Sequence, residues 1–329
     1  MNSAQPELSL VVPCYNEGKV LPLLQARLRQ SLSTTAASWE VILVDDGSRD
    51  DTFEQLRALH QSDPRFKVIS FSRNFGHQTA VFAGLCHARG EFVAVMDADL
   101  QDPPEFLAGG LAKLKEGYDV VYAVRRQRKE SWLKRVCYAV FYRLLRFISE
   151  VDIPLDSGDF CVMRQRVVAV LRQMPERNVF VRGLRAWSGF RQIGIEYKRE
   201  ARAAGETKYP MRKLLRLAMD GVFAFSPLPL RLATYLGFVS LAVSLAAAVL
   251  LLAWKVLNFR LLGHYPAEVP GWTSMICLIL FIGGMQFLIL GVMGEFIGRI
   301  YNEVKQRPRW IVRETLGMEC EQSNQDNAK

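Results

Sequence analysis

Two carboxylates one residue apart, Asp97 and Asp99 in Asp97-Ala98-Asp99-Leu100-Gln101, are the side chains of this sequence best suited to chemistry. On a tight turn both can face one cavity and offer hard oxygen ligands to Mg2+ or Mn2+. A cation held there could bridge two phosphates and stabilise a departing diphosphate. An Asp-x-Asp pair alone is also what a solvated acidic loop looks like. Its surroundings favour a site: the apolar run Phe92 to Met96 leads into it, the extended Gln101-Asp102-Pro103-Pro104-Glu105 follows it, and a second acidic turn stands at Asp45-Asp46-Gly47-Ser48.

The elements that must position these acids alternate. Leu8 to Val12, Trp39 to Val44, residues 66–71 and Phe92 to Met96 are short apolar runs of strand type. Between them Val20, Leu21, Leu24 and Leu28 recur near helical spacing over 18–33, and further helices are predicted at about 51–61 and 76–88. This pattern predicts an α/β domain with a mostly parallel, Rossmann-like sheet whose ligands bind beyond the carboxyl ends of the strands. Asn16-Glu17, Asp45-Asp46 and residues 97–101 all fall at such ends. No G-x-G-x-x-G follows the first strand and no G-x-x-x-x-G-K-[ST] loop occurs, which argues against a dinucleotide-binding domain and a P-loop ATPase. Neither an internal repeat nor a low-complexity block is present.

Beyond residue 210 the solvent changes. Leu232 to Trp254 and Trp272 to Gly294 are uncharged apolar runs, each longer than the roughly 20 residues that cross a hydrocarbon core. Lys208, Arg212, Lys213, Arg216 and Arg231 precede the first run, and Arg299, Lys305, Arg307, Arg309 and Arg313 follow the second. The loop between, Asn258 to Gly271, has only Arg260 and His264 against Glu268, so the catalytic domain and both termini are expected on the cytoplasmic side of an inner membrane. Gln286 within the second run is read as an amide at a packed helix interface.

The expected division is a domain over 1–210, a juxtamembrane amphipathic segment over 211–231, two spans with a short external loop over 232–296, and a basic cytoplasmic tail over 297–329 that is polar and frayed from about 318. The net charge of +9 is concentrated at 125–149, with eight Lys or Arg against one Glu, and at 198–216, with seven against two acids. Basic stretches beside a membrane suit anionic headgroups or phosphates, and modules for nucleic acid are absent. Ser131 to Ile148 reads as an interfacial amphipathic helix, with a core-facing one as the alternative. Six scattered cysteines with no Cys-x-x-Cys pair suggest reduced thiols, and Met1 to Glu7 leads into no signal-peptide core.

Taken in order, Val12-Pro13-Cys14-Tyr15-Asn16-Glu17, Val44-Asp45-Asp46-Gly47-Ser48-Arg49-Asp50 and residues 97–105 resemble the family 2 glycosyltransferases of GT-A fold, in their polyprenyl-phosphate branch. Arg73-Asn74-Phe75-Gly76-His77-Gln78, Ser157-Gly158-Asp159-Phe160, Ala204-Gly205-Glu206-Thr207-Lys208-Tyr209-Pro210 and Gly294-Glu295-Phe296-Ile297-Gly298-Arg299 extend the resemblance over most of the chain. It implies that Pro13, Tyr15, Glu17 and Asp45 line a nucleobase and ribose pocket with Asp46 beside them. Asp97, Asp99 and Gln101 would hold Mg2+ or Mn2+ and the diphosphate. A core aromatic at Tyr15 and a plain Asp-Gly turn at Asp45-Asp46 remain the structural alternatives.

The resemblance also places an acid on the acceptor side, Asp159, with Asp156 in reserve; helix capping is the alternative for either. Lys208, Arg202, Arg125 and Arg126 are the candidate cations for acceptor phosphate and diphosphate, against a solvated basic face. The activity implied is metal-dependent, inverting transfer of one sugar from a nucleotide diphosphate sugar to polyprenyl phosphate, with UDP-glucose and undecaprenyl phosphate the preferred pair. GDP-mannose and a UDP-4-amino-arabinose derivative are the alternative donors. A processive synthase would usually carry Gln-x-x-Arg-Trp and more spans, and Arg307-Pro308-Arg309-Trp310 lacks the Gln. Expected partners are the nucleotide sugar, the lipid phosphate, the membrane and further copies of the chain, as a homo-oligomer, with no nucleic acid.

Overall fold

Leu8–Cys14 (β1) and Trp39–Asp45 (β2) are buried at every residue, which is why they read as continuous apolar runs rather than alternating ones. Successive side chains of a strand point to opposite faces, and both faces here are covered. Leu8, Leu10 and Val12 of β1 and Val41 and Leu43 of β2 enter one core cluster, while Val11, Ile42 and Val44 enter another on the opposite face. The structure is a computed structural model that describes residues 5–125, 157–174, 176, 180–197, 228–257 and 271–318. The described residues form two compact units, one holding those before Pro210 and those from Arg307 onward, the other those between Pro210 and Gln306.

In the first unit the chain continues with Phe66–Phe71 (β3), Phe92–Val95 (β4), Val120–Arg125 (β5), Ser157–Arg164 (β6), Gln192–Tyr197 (β7) and Val312–Leu316 (β8). The sheet order is β7-β5-β6-β4-β1-β2-β3-β8. Strands β4, β1, β2 and β3 are mutually parallel; β6 runs antiparallel to both β4 and β5, and β8 antiparallel to β3. Leu21–Thr35 (α1), Thr52–Ser62 (α2) and Phe106–Lys115 (α4) supply one core cluster. His77–His87 (α3), Gln165–Gln173 (α5) and Val181–Trp187 (α6) supply the other. This is the α/β, mostly parallel architecture expected from the alternation, and the GT-A-like one that the resemblance implies.

Chain order reverses at β1, which has β2 on one side and β4 on the other. Loops leaving β1 and β4 therefore diverge and open a crevice beyond their carboxyl ends, the place where open α/β sheets bind ligands. The antiparallel β6 brings a further segment there. Its ladder pairs Val95 with Cys161, so two steps further along the same register Asp97 stands opposite Asp159.

Residues 312–316 form an edge strand, β8, and Trp310 stacks on Phe71 with ring centroids 6.3 Å apart and meets Phe82 edge-on. A five-residue segment reading Val-Arg-Glu-Thr-Leu has a polar majority because one of its sides faces solvent, as edge strands commonly do. Residues 319–329, expected to be frayed, lie outside the described residues.

The second unit consists of Leu228–Leu257 (α7) and Trp272–Val304 (α8), packed on each other. Phe238, Val239, Val249, Phe281, Phe287 and Leu288 are exposed on them. Among the described residues one stretch, Phe281–Gly298, is long and apolar enough to cross a membrane. The expected interfacial helix over 131–148, the juxtamembrane segment over 211–231 and nearly all of the loop at 258–271 lie outside the described residues.

Candidate active site

The acidic turn after β2 carries two carboxylates with different partners. Asp45 ends β2 fully buried; its Oδ1 accepts the Ser48 N–H at 2.9 Å and its Oδ2 the Ser70 hydroxyl at 2.8 Å. Arg313 of β8 approaches the same Oδ2 at 3.8 Å and donates to Ser70 Oγ at 2.9 Å. Asp46 turns instead to the loop after β3, where its Oδ1 accepts the Phe75 N–H at 2.6 Å and its Oδ2 the Gly76 N–H at 3.0 Å. Burial pushes the Asp46 carboxyl above its ordinary pKa, against the pull of those two N–H groups. One turn thus fixes both the β2 end and the entry to α3.

Gly47 makes that turn possible. Its φ of +68° favours glycine, and a Cβ would lie 2.4 Å from the Arg73 carbonyl carbon, which cannot yield as a side chain can. Gly47→Ala is expected to cost about 2 kcal/mol or more of stability and to loosen the 73–76 loop. Chemical unfolding of the variant beside wild type checks this; an unchanged midpoint would contradict it.

The turn after β1 carries the residues expected around a nucleobase. Pro13 is buried and pairs with Val44, whereas Tyr15 is exposed. Asn16 adopts a φ of 55°, its N–H donates to Ser48 Oγ at 3.0 Å and its Oδ1 accepts the Arg49 N–H at 2.9 Å. The Glu17 N–H donates to Thr52 Oγ1 at 2.9 Å, which ties this turn to the start of α2. The β1 and β2 turns are thereby stitched together by the side chains of Asn16, Ser48 and Thr52.

The third group gathers where β4, α3, β6 and α6 meet. The Nε2 of His77, first residue of α3, lies 3.5 Å from Asp97 Oδ1 and 3.6 Å from Asp159 Oδ2. Asp159 Oδ2 also accepts from Gln78 Nε2 at 2.8 Å, and its Oδ1 accepts from an Arg182 Nη at 3.3 Å. Burial would raise the Asp159 pKa, but the His77 hydrogen bond, the Arg182 charge and the Gln78 amide outweigh it and hold the carboxyl well below the usual range. Burial equally disfavours charge on His77, yet Asp159, Asp97 and Asp46 raise its pKa.

Asp97 is in the opposite situation. Burial pushes its pKa up to about 6; His77 opposes this, and Asp159, Asp102 and Asp99 reinforce it. Its Oδ1 is buried with no hydrogen-bond partner. Asp99 is buried too, and accepts the Gln101 N–H at 3.1 Å across Leu100, whose φ is 56°. A half-buried carboxylate with an unsatisfied oxygen beside a buried one fits a hard divalent cation, which would relieve the like-charge crowding. No three His, Cys, Asp or Glu side chains converge as a closed cage among the described residues, so oxygens of a bound phosphate would have to complete the shell.

Asp102 behind them is buried and accepts from the Tyr197 hydroxyl. Tyr197 packs edge-on against Phe160 and Phe106, which fixes residues 102–106 against β6 and β7.

Of the residues expected from the sequence, the structure brings Asp97 and Asp159 to one point and Asp99 and Gln101 beside them; Pro13, Tyr15, Glu17, Asp45 and Asp46 stand along the β1 and β2 ends. Arg125 ends β5. Asp156, Arg126, Arg202 and Lys208 lie outside the described residues. His77, Gln78, Arg182 and Arg313 were not singled out as site residues. Only His77 and Gln78 carried a signal, as the end of the Arg73 to Gln78 motif.

A family model described as Glycosyl transferase family 2 matches residues 9–172. The chain is 46% identical over 314 residues, 95% of each sequence, to the "Uncharacterized glycosyltransferase YkcC" of Bacillus subtilis. It is 39% identical over 310 residues, 94% of this chain and 98% of the other, to the "SfII prophage-derived bactoprenol glucosyl transferase" of Shigella flexneri. Among solved structures, the mannosyltransferase PcManGT from Pyrobaculum calidifontis in complex with GDP-Man and Mn2+ is 18% identical, with 89% of this chain and 87% of that one covered and a TM-score of 0.44. Identity of this level sustained from end to end, over a sheet whose crevice holds paired acids, places the chain in glycosyl transferase family 2.

Proposed function

We propose that this glycosyltransferase moves a single hexose, glucose from UDP-glucose, to undecaprenyl or another polyprenyl phosphate at the cytoplasmic face of the inner membrane. The observation that carries this reading is the meeting of Asp97 and Asp159 around His77, an electrophile-side acid opposite an acceptor-side acid. The name of the Shigella flexneri relative supports the lipid acceptor and the glucosyl group.

In this reading a lipid phosphate oxygen attacks the anomeric carbon as the bond to the nucleoside diphosphate breaks, which inverts that carbon in one displacement. A phosphate is already deprotonated at neutral pH, so no base is required. Asp159, with both oxygens engaged by donors, serves to position groups rather than to take a proton. Pro13, Tyr15, Glu17 and Asp45 line the nucleotide end. A Mg2+ or Mn2+ ion, which Asp97, Asp99 and Gln101 would hold, would supply charge neutralisation at the leaving diphosphate.

Both α7 and α8 cross the membrane in this account, with the domain over 1–210 and both termini cytoplasmic and the 258–271 loop outside. Support comes from the uncharged runs within them and the Lys and Arg flanking them. The reading assigns Lys208, which precedes the first span in sequence, to the lipid phosphate at headgroup level. Lys208→Ala should raise the apparent KM for polyprenyl phosphate about tenfold with little change for the donor. An unaltered lipid dependence would remove this placement, and labelling of a cysteine at His264 from the cytoplasmic side would overturn the topology.

GDP-mannose and a UDP-4-amino-arabinose derivative are the other donors to compare. Turnover with each of the three and a short polyprenyl phosphate decides among them. The glucosyl reading expects UDP-glucose to give the highest kcat/KM; a preference for another donor changes the sugar, and no turnover with any removes the reading.

A further inference from the structure

The crevice has a charge problem that its cation ligands do not solve. Three carboxylates, Asp97, Asp99 and Asp159, surround a point that must admit a diphosphate and a lipid phosphate together. A divalent ion on Asp97 and Asp99 offsets the diphosphate. The second phosphate needs its own donors, and Asp159 by itself would repel it.

Arg182 supplies them. It is the second residue of α6, and one Nη sits 3.3 Å from Asp159 Oδ1. Its Nε is buried without a hydrogen-bond partner, while a quarter of the side chain remains exposed. A guanidinium has five N–H donors in a planar fork, so an edge fixed by a carboxylate leaves donors for a phosphate. Phe180 lies beneath the guanidinium, 5.7 Å from ring centroid to Cζ.

The position of Arg182 is set from the far side by Gln78. The Gln78 Oε1 accepts the Val181 N–H at 3.1 Å, at the first residue of α6, and its Nε2 donates to Asp159 Oδ2 at 2.8 Å. One amide therefore holds both the helix that carries Arg182 and the acid that orients it. Such a device is of little use to a proton acceptor, because it fills both oxygens of Asp159. It suits an acid whose task is to aim a cation.

We propose that Arg182 binds a phosphate oxyanion at the reaction centre, that of the incoming acceptor, with Asp159 and Gln78 as the residues that position it. This rests on the transfer to a lipid phosphate proposed above. The acceptor phosphate is preferred over the donor diphosphate because Arg182 is paired with Asp159 and not with Asp97 or Asp99, where the diphosphate and its cation are placed. The assignment gives the acceptor phosphate a cation carried by α6 of the sheet domain itself.

The test compares Arg182→Ala and Arg182→Lys with wild type in the full chain. Its readouts are the KM for a short polyprenyl phosphate with UDP-glucose saturating, and calorimetric binding of UDP in excess Mn2+. For Arg182→Ala the acceptor KM is expected to rise about ten- to a hundredfold, with UDP affinity within about twofold of wild type. Arg182→Lys, which keeps the charge but not the fork, should fall between. A loss of UDP affinity with unchanged acceptor KM in Arg182→Lys would keep the phosphate chemistry and move it to the diphosphate. Wild-type acceptor KM and UDP affinity in either variant overturns the proposal. If Arg182→Ala binds no UDP because it fails to fold, Arg182→Lys decides alone. A wild-type protein without lipid-dependent turnover would fault the reaction, whereas active wild type beside unaffected variants faults only Arg182.

Discussion

Asp97→Ala and Asp99→Ala should each lower sugar transfer by on the order of a thousandfold, in protein that remains folded. The size follows from the several kcal/mol that a cation contributes where a diphosphate leaves, all of it forfeited when a ligand carboxylate goes. The accompanying effect on stability is what separates this from ordinary damage. Asp97 is half-buried, its Oδ1 is buried without a hydrogen bond, and its pKa is pushed up to about 6, above the ordinary carboxylate value. A group shifted in that direction favours the fold at low pH and loses that contribution as pH rises through its folded pKa. At pH 7, without metal, the charged Asp97 therefore works against the fold, and Asp97→Ala should unfold no earlier than wild type. Thermal unfolding in chelator checks it; a markedly lowered midpoint, or undiminished turnover, would contradict the assignment.

Asp159→Asn has the second largest expected effect, about a hundredfold on kcat with UDP binding within about twofold. Asparagine keeps the shape and can still meet Gln78, but it no longer attracts Arg182 and His77, 3.3 and 3.6 Å away. The loss should therefore fall on the chemical step. Single-turnover rates together with UDP calorimetry separate the two; weakened UDP binding with a normal rate at saturating donor would put Asp159 in another subsite.

Strands β1 to β4 were legible because they are almost wholly buried on both faces, and the Asp-x-Asp turn because it directly follows one of them. The meeting of Asp97 with Asp159 was not. It depends on β6 entering antiparallel between β4 and β5, a long-range register that no local pattern encodes. Arg182 was hidden for the same reason, since a basic residue near residue 180 looks like any surface charge until Gln78 and Asp159 are beside it. β8 was not legible either: it rests on a long-range ladder with β3 and on the anchorage of Trp310 on Phe71, and it carries Arg313 to the end of β2.

The central claim is that one hexose passes from a nucleotide to a lipid phosphate. The direct measurement incubates the full chain, in bilayers with Mn2+, with radiolabelled UDP-glucose and undecaprenyl phosphate, and analyses the lipid product by mass and by the configuration at its anomeric carbon. The account predicts label in the lipid only when the phosphate is supplied, one hexose per phosphate, and a configuration opposite to that in the donor. A hexose polymer, a retained configuration, or no lipid-dependent label with any of the three donors would contradict it.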